Sequence, residues 1–218
     1  MLAVIPARGG SKGIKRKNIR PILGHPLLAW TITAAQSSKL IKQLIVSTDD
    51  KEIAAVASLY GARVLERPAK LATDEADTKS VLAHASLSLG NYFDEILLLQ
   101  PTSPVRRPSL IDKVIEAFRA EEWDSMATGF LTLCYPPHGV EHRRQDIETV
   151  FVNDGSVIAL KRSNLEKNSL FGQKRGTMVT SREENVDIDE EFDFWLAEKI
   201  LEKGRAEGWL ILPKLNSD

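Results

Sequence analysis

The sequence predicts an α/β protein built on a mostly parallel, doubly wound sheet. Two observations carry that expectation. Short aliphatic runs, suited to strands covered on both faces, alternate with longer stretches of helical period in the rhythm of a parallel sheet. Polar residues of ligand-binding type also stand just after the strand-like runs, on the rim where such sheets bind their ligands.

The elements follow in order. LAVIP from Leu2 is the first strand, and the basic, glycine-rich ARGGSKGIKRKN follows it. PLLAWTITAAQSS reads as a helix with Pro26 at its first position. QLIVST from Gln43 is the next strand, and DDKEIAAVASLYG is a helix that opens on acids and stops at Gly61. ARVLE from Ala62, TKSVLAHASLSLG, EILLLQ from Glu95, RPSLIDKVIEAFRAEE and SMATGF from Ser125 continue the alternation. After Phe130 it breaks. Residues 131–156 have no helical period and contain two adjacent prolines, so they read as an arm leaving the sheet, which the chain rejoins around Val157–Leu160. A last helix, EEFDFWLAEKILEKG, is apolar at Phe192, Trp195, Leu196, Ile200 and Leu201 and stops at Gly204. Nothing repeats, and 1–218 reads as a single domain with the arm as its appendage.

Composition narrows the function classes. No apolar run approaches a membrane span of about 18–20 residues, and the basic-free start MLAVIP is not that of a secretory signal. A single cysteine, Cys134, excludes an intramolecular disulfide and suits a reducing compartment, so a cytoplasmic location is expected. The four histidines show no zinc-type spacing. The net charge of −1 hides a polarity, because residues 1–48 hold eight Lys and Arg and no acid. Positive charge confined to one loop suits a small anionic ligand better than a nucleic acid, and Arg8 to Arg20 contains no aromatic residue on which a base could stack.

Gly9, Gly10 and Gly13 let the loop turn tightly and bring amides close to a ligand, while Arg8, Lys12 and Lys17 are placed to clamp phosphate oxygens. It is not a Walker A loop, since the order is Ser11-Lys12-Gly13, and G-G-x-x-G is not the dinucleotide fingerprint. A solvated basic loop is the plain alternative. It is disfavoured by six basic residues with no acid among them, which repel one another unless an anion arrives.

IPARGGSKGIKRKN, followed in order by VSTDD, RPAKLATDEADT, LLQPTSPVR and VDIDEEFD, resembles the acylneuraminate cytidylyltransferases, the CMP-sialic acid synthetases. The resemblance spans nearly the whole chain. It implies a Rossmann-like nucleotidyltransferase fold with a small β-rich dimerisation arm, dependence on Mg²⁺, and a homodimer. The implied reaction transfers CMP from CTP to a sialic-type 2-keto-3-deoxy sugar acid and releases pyrophosphate.

By that resemblance Arg8, Gly10, Ser11, Lys12, Lys17, Asn18, Arg67 and Thr78 bind the nucleotide, with Arg8 and Lys17 catalytic. Thr78 also reads as a plain helix cap. Gln100 faces the sugar, and Arg106 matches a family arginine that can serve as a loop anchor. Asp187 and Asp189, on one face of an extended stretch, would hold the metal. Asp189 would also help deprotonate the sugar hydroxyl. Acids at a helix start are the other reading of the pair. RRQDIETVFVNDG resembles the family's PRQxxPxxFxxNG, which puts Arg144, Asp154 and, further on, Phe171 at the sugar acid. The pattern departs at Glu148, Ile158 and Asp154, where the family has a proline, an aromatic and an asparagine. Other acceptors therefore stay open: legionaminate, pseudaminate, octulosonate or 8-amino-octulosonate. So does a nucleotide sensor without turnover.

Overall fold

The structure, a computed structural model, describes residues 1–10, 13–134, 145 and 147–216. In chain order the elements are β1 (Leu2–Pro6), the short pair β2 (Pro21–Ile22) and β3 (His25–Pro26), α1 (Leu27–Gln36), β4 (Gln43–Thr48), α2 (Lys51–Leu59), β5 (Arg63–Glu66), α3 (Thr78–Ser88), β6 (Glu95–Leu99), α4 (Leu110–Ala120), β7 (Ser125–Leu133), β8 (Thr149–Lys161), α5 (Arg162–Glu166), β9 (Arg175–Val179) and α6 (Glu191–Ala206).

Seven strands form one sheet in the order β5-β4-β1-β6-β8-β7-β9. Only β8 runs against the others: it is antiparallel to β6 and β7, whereas β5, β4, β1 and β6 are mutually parallel and β9 is parallel to β7. The period of two along β1 divides the core. Ala3 and Ile5 pack with Leu28, Val46 and Ile115 on one face, and Leu2 and Val4 pack with Leu82, Leu98 and Ile158 on the other. A third cluster joins Ile22, Leu27 and Trp30 to Val186, Ile188, Phe194 and Leu201, and so fixes α6 and the segment before it beside α1.

Several expectations change. α1 begins at Leu27, with Pro26 still paired to Pro21. Gly204 lies inside α6, not at its end; a Cβ there would stand 2.5 Å from the Trp209 ring, so the glycine serves the packing of the returning chain. The expected arm begins and ends as sheet: Phe130 to Leu133 pair with Val152 to Thr149, prolonging β7 and β8 as a ribbon. The middle of the arm lies outside the described residues. β9 and α5 carry no sequence signal of their own. RGTMV lacks an aliphatic run because it is an edge strand, with β7 its sole neighbour among the described residues, and α5 has five residues. Among the described residues no helix is long and apolar enough to cross a membrane.

Candidate active site

From β1 the chain steps outward to β4 and β5, then returns to the other side of β1 to lay down β6. At such a reversal the loops after neighbouring strands diverge and leave a crevice at their carboxyl ends. Here the crevice is a cleft of about 340 Å³, lined from the described residues by Arg8, Gly13, Lys17, Asn18, Arg67, Thr78, Gln100, Thr102 and Asp189, among others. Seven of the residues expected at the site, separated by up to 181 positions in sequence, thus meet on one rim.

The basic loop is not uncompensated in the folded chain. Arg8 pairs with Asp74 at 2.7 Å and donates to the Thr73 carbonyl at 3.0 Å. Arg16 pairs with Asp50, Arg20 with Glu191, and Lys17 with Asp189 at 3.3 Å, while Lys17 Nζ also donates to the Ile188 carbonyl. Mutual repulsion of the basic residues is therefore no longer what argues for an anion. The geometry argues for one, because Arg8, Lys17 and Arg67 converge on one cleft.

Arg67 is buried after β5, where it donates to the Ser47 hydroxyl at 3.1 Å and to the Ser47 carbonyl at 2.6 Å. Burial lowers its guanidinium to about 10; nearby Arg8 adds to the fall and Asp49 opposes it. Asn18 donates to the Arg8 carbonyl at 3.0 Å, and its Oδ1 is buried with no partner among the described residues, an acceptor suited to a ligand's donor. A Cβ on Gly13 would lie 2.2 Å from the Asp189 carbonyl, so the loop can rest on this segment only because residue 13 has no side chain. Among the described residues, by contrast, nothing stands within 4 Å of a Cβ on Gly10. Thr78 is the first residue of α3, not its cap, since Asp77 takes that place by accepting from the Ser80 amide at 2.8 Å.

The segment 186–189 alternates as extended chain should. Val186 and Ile188 are buried, Ile188 donates its amide to the Thr102 carbonyl at 2.9 Å, and Asp187 and Asp189 face outward. Asp189 borders the cleft; Asp187 borders a second cavity of about 990 Å³ lined also by Leu133, Asp154, Thr180, Arg182 and Asp193. Desolvation raises the pKa of Asp187, the charges of Asp189 and Asp193 raise it further, and Thr102 and Lys17 act the other way. The capping of α6 itself falls to Glu190 and Asp193 in a reciprocal capping box, with Asp189 one residue ahead of it. Two outward carboxylates not spent on capping fit a hard, oxygen-seeking cation. Among the described residues no group of three or more His, Cys, Asp or Glu side chains is gathered, so the remaining ligands would have to come from substrate and water.

Other expected residues lie elsewhere. Asp154 is buried, and its carboxylate accepts from Thr128 Oγ1 at 2.7 Å, the Ser156 amide at 2.9 Å and Thr180 Oγ1 at 3.4 Å. Those contacts fix it in the wall of the larger cavity, which Asp187 also borders, and tie it to the 180–185 segment. Ile158 is core, paired with Leu98 and Ala127. Phe171 packs against the second core cluster, under Arg175 and beside Asp124 and Asn164. It lies at the other end of the sheet because it follows the carboxyl end of the reversed β8. Arg106 is an anchor: it is buried and donates to Thr31 Oγ1 (2.9 Å), the Gln100 carbonyl (2.7 Å) and the Ser156 carbonyl (2.8 Å), and burial lowers it to about 10. Ser11, Lys12 and Arg144 lie outside the described residues. No local pattern marks Asp74 or Thr102 as site residues; their distant partners do, Arg8 for the Asp74 carboxylate and the Ile188 amide for the Thr102 carbonyl.

Residues 2–205 match the family described as Cytidylyltransferase. The chain belongs to this cytidylyltransferase family. It is 33% identical to the N-acylneuraminate cytidylyltransferase of Escherichia coli O18:K1:H7 in an alignment that covers 93% of this chain and about half (52%) of that protein. It is 34% identical to the CMP-N,N'-diacetyllegionaminic acid synthase of Legionella pneumophila, covering 93% of this chain and 96% of that one. Its fold is that of a CMP:2-keto-3-deoxy-manno-octonic acid synthetase solved with CTP, at a TM-score of 0.73, 13% identity and coverage of 93% of this chain and 98% of the other.

Proposed function

We propose that this cytidylyltransferase moves CMP from CTP to the anomeric hydroxyl of a sialic-type, nine-carbon 2-keto-3-deoxy sugar acid. One observation carries the reading. The cleft with three converging cations, Arg8, Lys17 and Arg67, abuts the outward pair Asp187 and Asp189, and beyond that pair opens a second cavity with room for an acceptor.

In this reading CTP lies in the cleft with its triphosphate along the basic loop. The sugar hydroxyl attacks the α-phosphorus, the bond from that phosphorus to the bridging oxygen breaks, and pyrophosphate leaves. Arg8 and Lys17 stabilise the charge that builds on the phosphoryl oxygens, with Ser11 and Lys12 of the same loop as further contacts. Arg67, Asn18 and Thr78 hold the nucleotide, and Gln100 with Arg144 meets the sugar acid. Asp189 accepts the hydroxyl proton. Asp187 and Asp189 would hold a divalent cation, Mg²⁺ by their oxygen-only donors, which when bound adds charge neutralisation at the phosphates. Exposed Leu131, Val179, Phe192 and Trp195 support a homodimer, which light scattering coupled to size exclusion tests directly.

The test is pyrophosphate release from CTP and Mg²⁺ with N-acetylneuraminate, N,N'-diacetyllegionaminate, pseudaminate, 3-deoxy-octulosonate and its 8-amino form. Release with a nine-carbon acid, lost in Lys17→Ala and Asp187→Ala that still fold, is the expected result. Release with an octulosonate alone would replace the acceptor. Full activity in either variant would refute the assigned roles.

A further inference from the structure

The landmark VSTDD closes β4 on two aspartates, Asp49 and Asp50, that neither line the nucleotide cleft nor enter the chemistry above. Both point at the basic loop. The Gly9 amide donates to Asp49 Oδ1 at 3.0 Å, which holds the loop where it leaves β1. At the loop's far end, Arg16 donates from Nη1 to Asp50 Oδ2 at 2.5 Å and from Nη2 to Asp50 Oδ1 at 3.0 Å, and its Nη2 also reaches Glu52 at 2.8 Å. Asp50 is itself immobilised, because its Oδ1 caps α2 by accepting the Glu52 and Ile53 amides, each at 2.9 Å. The contact is close: a Cβ on Gly9 would lie 2.8 Å from Asp50 Oδ2. Arg16 has φ of 59°, a left-handed backbone that an arginine keeps only where its surroundings hold it. The next residues form the short turn Lys17–Ile19, which carries Lys17 and Asn18 into the cleft.

We propose that Asp49 and Asp50 are positioning residues that grip the two ends of the phosphate-binding loop. Asp50 acts through a two-pronged pair with Arg16, so that Lys17 and Asn18 are aimed before the nucleotide arrives. The inference rests on the reading of this loop as the triphosphate site of CTP. Released from α2, the loop has to be ordered by the nucleotide itself, and affinity falls by that cost.

Asp50→Asn isolates the effect. Asparagine caps a helix as well as aspartate does, so α2 keeps its start while Arg16 loses a charged, forked partner. Arg16→Gln removes the pair from the other side, Arg16→Lys restores charge without the fork, and Lys17→Ala reports on the loop reading itself. Isothermal titration of CTP with Mg²⁺ into the full chain gives affinity, and steady-state rates give the KM for CTP, the KM for the sugar acid and kcat. We expect CTP affinity to fall about tenfold in Asp50→Asn and in Arg16→Gln, with the double variant no worse than either. The KM for CTP should rise with it, Arg16→Lys should recover part of the loss, and the KM for the sugar acid should stay put. A purely structural pair would lower thermal stability and leave that split between the two KM values unmoved. Should Asp50→Asn fold poorly, Arg16→Gln alone carries the test, since α2 then keeps its native cap. Unchanged CTP affinity in both variants while Lys17→Ala has lost it would overturn the proposal, and so would fully additive losses. Unchanged affinity in Lys17→Ala would instead bring down the loop reading and this inference with it.

Discussion

Replacing Arg106 with methionine should be among the most damaging single changes outside the cleft, and through stability rather than chemistry. The guanidinium is 7% exposed and makes three hydrogen bonds, which tie α1, the end of β6 and β8 together behind the site. Removal takes this donor from the Ser156 carbonyl and the Thr31 hydroxyl and leaves the Gln100 carbonyl the Ser103 amide at 3.4 Å. It also leaves the buried Asp154 carboxylate without its neighbouring positive charge. Breaking one partner out of such a buried polar group costs about 3–5 kcal/mol, of which methionine's apolar stem recovers little. Taking about 4 kcal/mol, a chain of 218 residues should melt roughly 8–16 °C lower. Urea unfolding followed by tryptophan fluorescence and circular dichroism measures this, with the midpoint moving and the slope unchanged. Arg106→Lys, which keeps the charge but cannot span three acceptors, should lose about half as much. A loss below about 1 kcal/mol accompanied by collapse of CTP turnover would mean that Arg106 acts on substrate and that its anchoring role is misread.

Other outcomes follow from single contacts. Arg16 holds the Asp50 carboxyl at about 2, below its ordinary 3.8, so the folded chain takes up that proton less readily than the unfolded one. The ionised Asp50, held by Arg16 and by the Ile53 and Glu52 amides together, therefore stabilises the fold above pH 3.8, and that contribution, about 2 kcal/mol in all, is lost as pH falls toward about 2. Asp50→Asn should flatten that part of an acid unfolding series, and an unchanged acid limb would contradict the pairing. Gly13→Ala drives a methyl into the Asp189 carbonyl at 2.2 Å, so loop and carboxylate segment must part. CTP affinity should drop at least tenfold for a stability change of about 1–3 kcal/mol, readable by calorimetry. Gly204→Ala meets the Trp209 ring at 2.5 Å and should cost a similar amount of stability while leaving CTP binding intact, which the same titration checks.

The alternation of strands and helices was legible because aliphatic runs and cap residues are local signals: Asp50 at the start of α2 and Gly61 after it stand where the pattern put them. Glycine and charge in the first loop pointed to an anionic ligand, but for an incomplete reason. The loop looked uncompensated because its acids are remote, Asp50 lying 34 residues from Arg16 and Asp189 172 residues from Lys17. No window of sequence contains such a pair. Local pattern likewise made Gly204 a helix stop, since only the return of Trp209 across it explains a glycine inside a helix.

By itself, then, the sequence determined the class of sheet, the order of its elements and a set of residues whose chemistry suits a nucleotide. What only the tertiary structure decided is which of them meet. The return of the chain past β1 to form β6 opens the crevice, and the third core cluster presses the Val186–Asp189 segment against the first loop. The same packing buries Asp154 among hydroxyl donors and leaves Phe171 at the far end of the reversed strand. The reason is physical: spacing and residue type set what a side chain can do within about a turn of its own position, whereas the approach of residues far apart in sequence is set by the summed burial of many apolar side chains, none of which touches the site.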